Sequence, residues 1–124
     1  MIVGIGTDIV YIPRILNLWK KFGTKFLTRV FSEEEIKDSN RYTSLNGKIR
    51  HFAKRFAAKE AYVKALGTGF GKAIKMSDIT IYNTLDGKPK VSINNSSINY
   101  KIELSLSDDT DYAIAFIIIH KELQ

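Results

Sequence analysis

The sequence has no cysteine, and only two histidines and two prolines among 124 residues. Without cysteine there is no disulfide framework, no thiolate metal site and no cysteine nucleophile, and the chain suits a reducing compartment. Long hydrophobic runs are also missing. The longest, "YAIAFIII" at 112–119, is far short of the roughly 20 residues that span a bilayer as a helix, and it reads as a buried strand. The first residues, "MIVGIGTDIV", carry no basic stretch before the apolar ones and turn polar at Thr7 and Asp8. The expectation is therefore a cytoplasmic protein with no membrane association. Repeats, low-complexity segments and linkers are absent too. With 44% hydrophobic residues, the chain fits one domain, 1–124, whose modest core would gain from oligomerisation.

The scarce histidines, His51 and His120, are not paired with acids at metal-ligand spacing, and each reads as a surface or helix-end residue. Two glycine-rich stretches lack what nucleotide loops require. "GTGFGK" follows a helical pattern instead of preceding one and has Ala73 where a phosphate loop needs a hydroxyl; "GIGTDI" has Ile9 where a dinucleotide fingerprint needs glycine. Acidic residues are few in the first part of the chain. Residues 1–76 hold fifteen Lys and Arg against six Asp and Glu, whereas residues 77–124 hold four against seven. A basic face of this kind speeds encounter with an acidic partner, whether nucleic acid, acidic protein or phosphorylated small molecule.

The β-branched segment 2–10, with its two glycines, predicts a strand with a bend or a close backbone approach, and Asp8 lies in it or just past it. Pro13 opens an amphipathic helix that spaces Ile15, Leu18, Trp19 and Phe22; Trp19, Phe22 and Phe26 are core residues or a hydrophobic docking edge. Ser32 and Glu35 have capping-box spacing at the start of another helix. After a polar loop, "RYTSLNGK", the longest helix runs from about Arg50 to Leu66 and stops at Gly67. From residue 78 the period becomes two: "DITIYNT", "DGKPKVSIN", "YKIELSLS" and "YAIAFIIIHKEL" predict three or four strands, with a tight turn at Asp86-Gly87. The fold class is α+β, an antiparallel sheet packed around one long helix.

On that helix, counting about 100° per residue from Phe52, Glu60 falls near 80° and Lys64 near 120°, at the border of the apolar face. Ala53 and Ala57 beside them leave room for a ligand to come close. By spacing alone, Glu60 and Lys64 are an i, i+4 pair on a solvated surface. The company of Arg55, Lys59 and the glycine-rich loop offers another reading, a carboxylate in a cationic surround that holds Mg²⁺ beside substrate phosphates. Asp8 is a second available carboxylate, or else a cap or turn residue.

Taken together, "GIGTDIV" followed by "IPRI", "RFAAKEAYVKALGTGFG", "DITI", "DGKPKV" and "LSLSDDTDYAIAFIII" resemble the holo-acyl-carrier-protein synthase family of 4′-phosphopantetheinyl transferases, in order and over nearly the whole chain. The resemblance implies the fold of those transferases. It also implies transfer of the phosphopantetheine arm of coenzyme A to a serine of acyl carrier protein, with release of adenosine 3′,5′-bisphosphate. Asp8 and Glu60 match metal ligands for Mg²⁺, Glu60 is placed to take the serine proton, and Lys64 would touch the phosphate under attack. Arg55, Gly67, Gly69, Lys88, Pro89, Ser107 and Asp108 match contacts to coenzyme A. Arg14 matches a docking arginine for the acidic carrier protein, with Lys20, Lys21, Lys25 and Arg29 nearby. A homotrimer with its sites between subunits is implied as well. The chain departs from many relatives in having Glu103 and Asp108 where they have histidine. The rivals are a small basic nucleic-acid-binding module, for which no RNP1, KH or zinc-finger pattern is present, and a metal-free scaffold that docks an acidic protein, against which the two acids Asp8 and Glu60 stand.

Overall fold

The structure is a computed structural model that describes residues 1–67, 74–94 and 100–121. In chain order the elements are β1 (Ile2–Tyr11), α1 (Ile12–Phe22), α2 (Thr24–Val30), α3 (Glu33–Asp38), α4 (Leu45–Leu66), β2 (Ile79–Asn83), β3 (Pro89–Ile93), β4 (Lys101–Asp109) and β5 (Tyr112–His120). Single 3₁₀ turns follow α3 and precede β2, at Ser39–Arg41 and Met76–Asp78.

β5 forms the centre of a three-stranded antiparallel sheet, ordered β1-β5-β4, and β2 with β3 makes a separate hairpin. Pairing of Thr7 with Phe116 and of Ser105 with Phe116 fixes the register across the sheet. α4 crosses one face of this sheet. In β5, burial alternates as period-two geometry requires: Ala113, Ala115, Ile117 and Ile119 are fully buried against α4, each isoleucine adding about 1.5 to 3 kcal/mol of apolar burial. The intervening Tyr112, Ile114 and Phe116 are exposed. The run that reads as a buried strand is therefore buried on one face only.

The close approach expected at the glycines of β1 is real, and it is made to α4. A Cβ on Gly4 would lie 1.9 Å from the carbonyl oxygen of Ala65, and one on Gly6 would lie 1.9 Å from that of Ala61. The two glycines share a strand face and the two alanines a helix face, so strand and helix backbones touch. Ala53 and Ala57 also have no exposure. The small residues of α4 thus make room for the sheet, not for a ligand.

Ser32 and Glu35 form the capping box at α3. α4 begins five residues before the sequence suggests, because Ser44 caps it by accepting from the Gly47 N–H at 3.0 Å. α2 is an additional helix. Gly23, at φ +59°, ends α1, and Phe26, Leu27 and Val30 turn inward immediately after it. The hairpin turn holds Gly87 at φ +87°, with Thr84 and Lys88 bonded across it. Among the described residues, no helix is long and apolar enough to cross a membrane.

Candidate active site

Two residues past Gly6 on the same strand face, Asp8 meets the last turns of α4. Lys64 Nζ donates to Asp8 Oδ1 at 2.9 Å and to the Thr7 carbonyl at 3.2 Å. Glu60 is half-buried on the adjoining turn. Burial first, and the Asp8 carboxylate second, push its carboxyl above the usual range, while Lys64 and Arg14 pull the other way. Arg14, exposed on α1, lies with its guanidinium 5.8 Å from the centre of the Phe56 ring. Asp8, Glu60, Lys64 and Arg14 are therefore brought together from β1, α1 and α4.

The cationic surround of Glu60 differs from the expected one. Lys59 and Arg55 point away from it and are buried. Lys59 Nζ lies 2.6 Å from Glu35 Oε1, and Arg55 donates to the His51 carbonyl at 3.3 Å and to Asn83 Oδ1 at 3.0 Å. Lys64 and Arg14 supply the positive charge instead. The signal for Lys59 was available: at about −20° from Phe52 it falls in the middle of the helix's apolar face. His51 is likewise a buried residue, not a surface one, with Nε2 2.8 Å from the Glu35 carbonyl. Burial, then the charge of Arg55, lowers its pKa to about 4.

Asp8 and Glu60 are hard oxygen donors, and the charge of one raises the pKa of the other. A divalent cation relieves that repulsion, and two carboxylates are what Mg²⁺ commonly takes beside substrate phosphates. The pair fits such an ion by the chemistry of its donors. Among the described residues, no group of three or more His, Cys, Asp or Glu side chains comes together.

The residues matched to coenzyme A lie elsewhere on this chain. Arg55 and Pro89 line an open cleft of about 510 Å³ with Arg41, Tyr42, Lys54 and Asn83. Asp108 bonds Arg50 at 2.8 Å and Lys54 at 3.1 Å. Burial opposes its ionisation, but the hydrogen bonds from Arg50 and Lys54 outweigh burial and hold its carboxyl below the usual range. With both oxygens so engaged, Asp108 orients cations at the edge of this cleft. Ser107 faces the opposite side of the sheet, exposed, because neighbours on a strand alternate. Lys88 is exposed at the hairpin tip and Gly67 caps α4 at φ +78°; Gly69 lies outside the described residues. Arg41, Tyr42, Arg50, Lys54 and Asn83 carried no sequence signal of their own, since the hairpin that closes the cleft is remote in sequence.

A third feature is an open, mostly apolar groove of about 1120 Å³ between α1–α2 and the turn before β2. Leu18, Phe22, Phe26 and Met76 line it, with Lys25, Arg29 and Lys75 among its walls. Lys21 sits with its ammonium 5.3 Å from the Phe22 ring centre. Phe22 is exposed at the rim of this groove, whereas Phe26 is core and Trp19 packs edge-on against Phe52 at 5.4 Å.

A family model described as the 4′-phosphopantetheinyl transferase superfamily matches residues 4–117. The chain is 81% identical over 122 residues to the holo-[acyl-carrier-protein] synthase of Ehrlichia ruminantium (strain Gardel), covering 98% of this chain and 99% of that protein. Its fold superposes on the crystal structure of holo-[acyl-carrier-protein] synthase from Neisseria meningitidis with a TM-score of 0.87 at 38% identity, covering 98% of this chain and 100% of that one. The Bacillus anthracis holo-(acyl-carrier-protein) synthase, solved in complex with CoA (3′,5′-ADP), gives a TM-score of 0.85 at 36% identity, with 96% of each chain covered.

Proposed function

The chain belongs to the 4′-phosphopantetheinyl transferase superfamily, and from that membership we propose that it is a holo-acyl-carrier-protein synthase. It transfers the phosphopantetheine arm of coenzyme A to a serine of apo-acyl carrier protein. The serine oxygen–phosphorus bond forms, the bond from that phosphorus to the adenosine 3′,5′-bisphosphate leaving group breaks, and the serine proton passes to a base at the site. The observation that carries this reading is the glycine-seated strand that sets Asp8 against Lys64 beside Glu60.

Asp8 and Glu60 would hold Mg²⁺, which when bound neutralises charge on the diphosphate and orients it. Lys64 has three donors and uses two on Asp8 and Thr7, which leaves one for a phosphate oxygen whose charge grows in the transition state. Glu60 is a metal ligand first and, directly or through a water, the acceptor of the serine proton. Arg55, Lys88 and Pro89 would bind the nucleotide portion of coenzyme A, with Gly67, Gly69, Ser107 and Asp108 as further contacts. The carrier protein is acidic, and exposed Arg14, Lys20, Lys21, Lys25 and Arg29 form the basic face on which it docks, with association that weakens as salt rises.

We further propose a cytoplasmic homotrimer with each site between subunits. Two observations support it. The outer sheet face is apolar, with Ile5, Ile9, Ile114 and Phe116 more than 40% exposed. The Arg55 cleft and the Asp8–Glu60 pair occupy different faces of α4, as two halves of a site shared between neighbouring chains would.

Glu60→Gln tests the assignment. The variant should stay folded, lose at least about a hundredfold in kcat, and respond less steeply to added Mg²⁺ in initial-rate measurements. Wild-type turnover in that variant contradicts the metal and catalytic roles together.

A further inference from the structure

Lys59 immediately precedes Glu60, yet its ammonium is fully buried on another flank of α4. Nζ lies 2.6 Å from Glu35 Oε1, donates to the Met76 carbonyl at 2.8 Å and donates to the Ile79 carbonyl. The ring of Phe31 covers it, its centre 5.5 Å away. All three donors are used, and two of them hold the backbone at the start and just past the end of the turn Met76–Asp78. Glu35, with no exposure either, is itself fixed: Oε1 accepts from Ser32 N and Oε2 from Ile81 N, both at 2.9 Å.

A buried ion pair is a poor stabiliser when weighed against its desolvation, and well-packed apolar side chains often serve as well. What apolar groups lack is direction. Here the direction is specific. Lys75, Met76 and Ser77 form one wall of the groove whose other wall is α1–α2, with Lys25 and Arg29. Successive helix positions diverge by about 100°, so one turn of α4 presents Glu60 to Asp8 on one flank and ties down this wall on another.

We infer that Lys59 is a positioning residue for the transfer: bridged by Glu35, it fixes the Lys75–Ser77 wall of the groove to the turn of α4 that carries Glu60, and so sets the separation between docked carrier protein and the Asp8–Glu60 pair. The role rests on the transferase reading given above, with the α1–α2 groove as part of the docking face.

The test is the double variant Glu35→Gln/Lys59→Met, which removes both charges and leaves neither buried alone. Steady-state rates are measured with carrier protein and coenzyme A varied separately, and backbone amide exchange is followed in Ile74 to Ile79. The expected result is a KM for carrier protein raised about tenfold, the loss of one good interfacial contact, with the KM for coenzyme A unchanged. Exchange at Ile74 to Ile79 rises while that of α4 and β5 stays slow. If kcat falls only with the folded fraction, both KM values hold and exchange rises evenly, Lys59 is a structural residue and the inference is overturned. A wild-type chain that transfers nothing overturns the functional reading, and the positioning role with it; a wild-type chain that transfers normally confines any failure to Lys59.

Discussion

His51 shows how a single side chain can carry a pH dependence. The ring is 1% exposed, and its pKa falls to about 4 from an ordinary 6.5. The folded state therefore favours the neutral ring, so this contribution to stability is whole above about pH 6.5 and is lost as pH falls toward 4. Over that window the cost is about 3 kcal/mol. Urea denaturation at pH 7 and pH 4 should show a loss of that order, and His51→Gln, which cannot acquire the proton, should show a smaller one. An equal loss in both proteins would place the acid sensitivity elsewhere. Reading single residues from the sequence brought Asp8, Glu60 and Lys64 together in space, and it misplaced Lys59 and Arg55, which turn away from Glu60, and His51, which is buried. The reason is physical. A carboxylate in an apolar segment announces a cost that something must offset, whereas a basic residue on a helix is by default solvated, and only its angular position shows that it points inward.

At the scale of elements, the seat of β1 on α4 decides where Asp8 stands. Gly6→Ala puts a methyl group 1.9 Å from the backbone oxygen of Ala61, where no flexible side-chain end can yield, so strand and helix must separate. Overpacking of this kind costs about 1 to 3 kcal/mol or more. The urea midpoint should drop accordingly. Activity should fall further than the folded fraction does, because Asp8 moves away from Lys64 and Glu60; activity that tracks the folded fraction would show that the seat is structural alone. The strands from residue 78 onward, the capped α3 and the glycine-stopped α4 were all legible from period and punctuation. The start of α4 and the whole of α2 were not. "RYTSLNGK" has loop composition, and its serine cap outweighs it. Residues 24–30 form too short a stretch for periodicity to speak clearly. The one-sided burial of β5 was hidden because an exposed apolar face has the same composition as a core.

For the molecule as a whole, a site shared between subunits makes a prediction that a site within one chain does not. Glu60→Gln and Arg55→Met, each shown folded, should both be inactive alone. Mixed and allowed to exchange subunits, they should regain part of the wild-type rate, because some interfaces pair an intact Glu60 with an intact Arg55. Absence of any recovery, with exchange demonstrated, would put both residues in one chain's site. Fold class and reaction type were legible from motifs spread along the chain, whereas a site between subunits was implied only by the family resemblance, since composition and spacing say nothing of a partner chain. The central claim remains the transfer reaction itself, and intact mass measurement of an apo-acyl carrier protein incubated with this protein, coenzyme A and Mg²⁺ tests it directly. A mass increase of one phosphopantetheine arm on the carrier protein, abolished by a chelator, is the predicted result; an unchanged mass with several carrier proteins and demonstrably folded enzyme would contradict it.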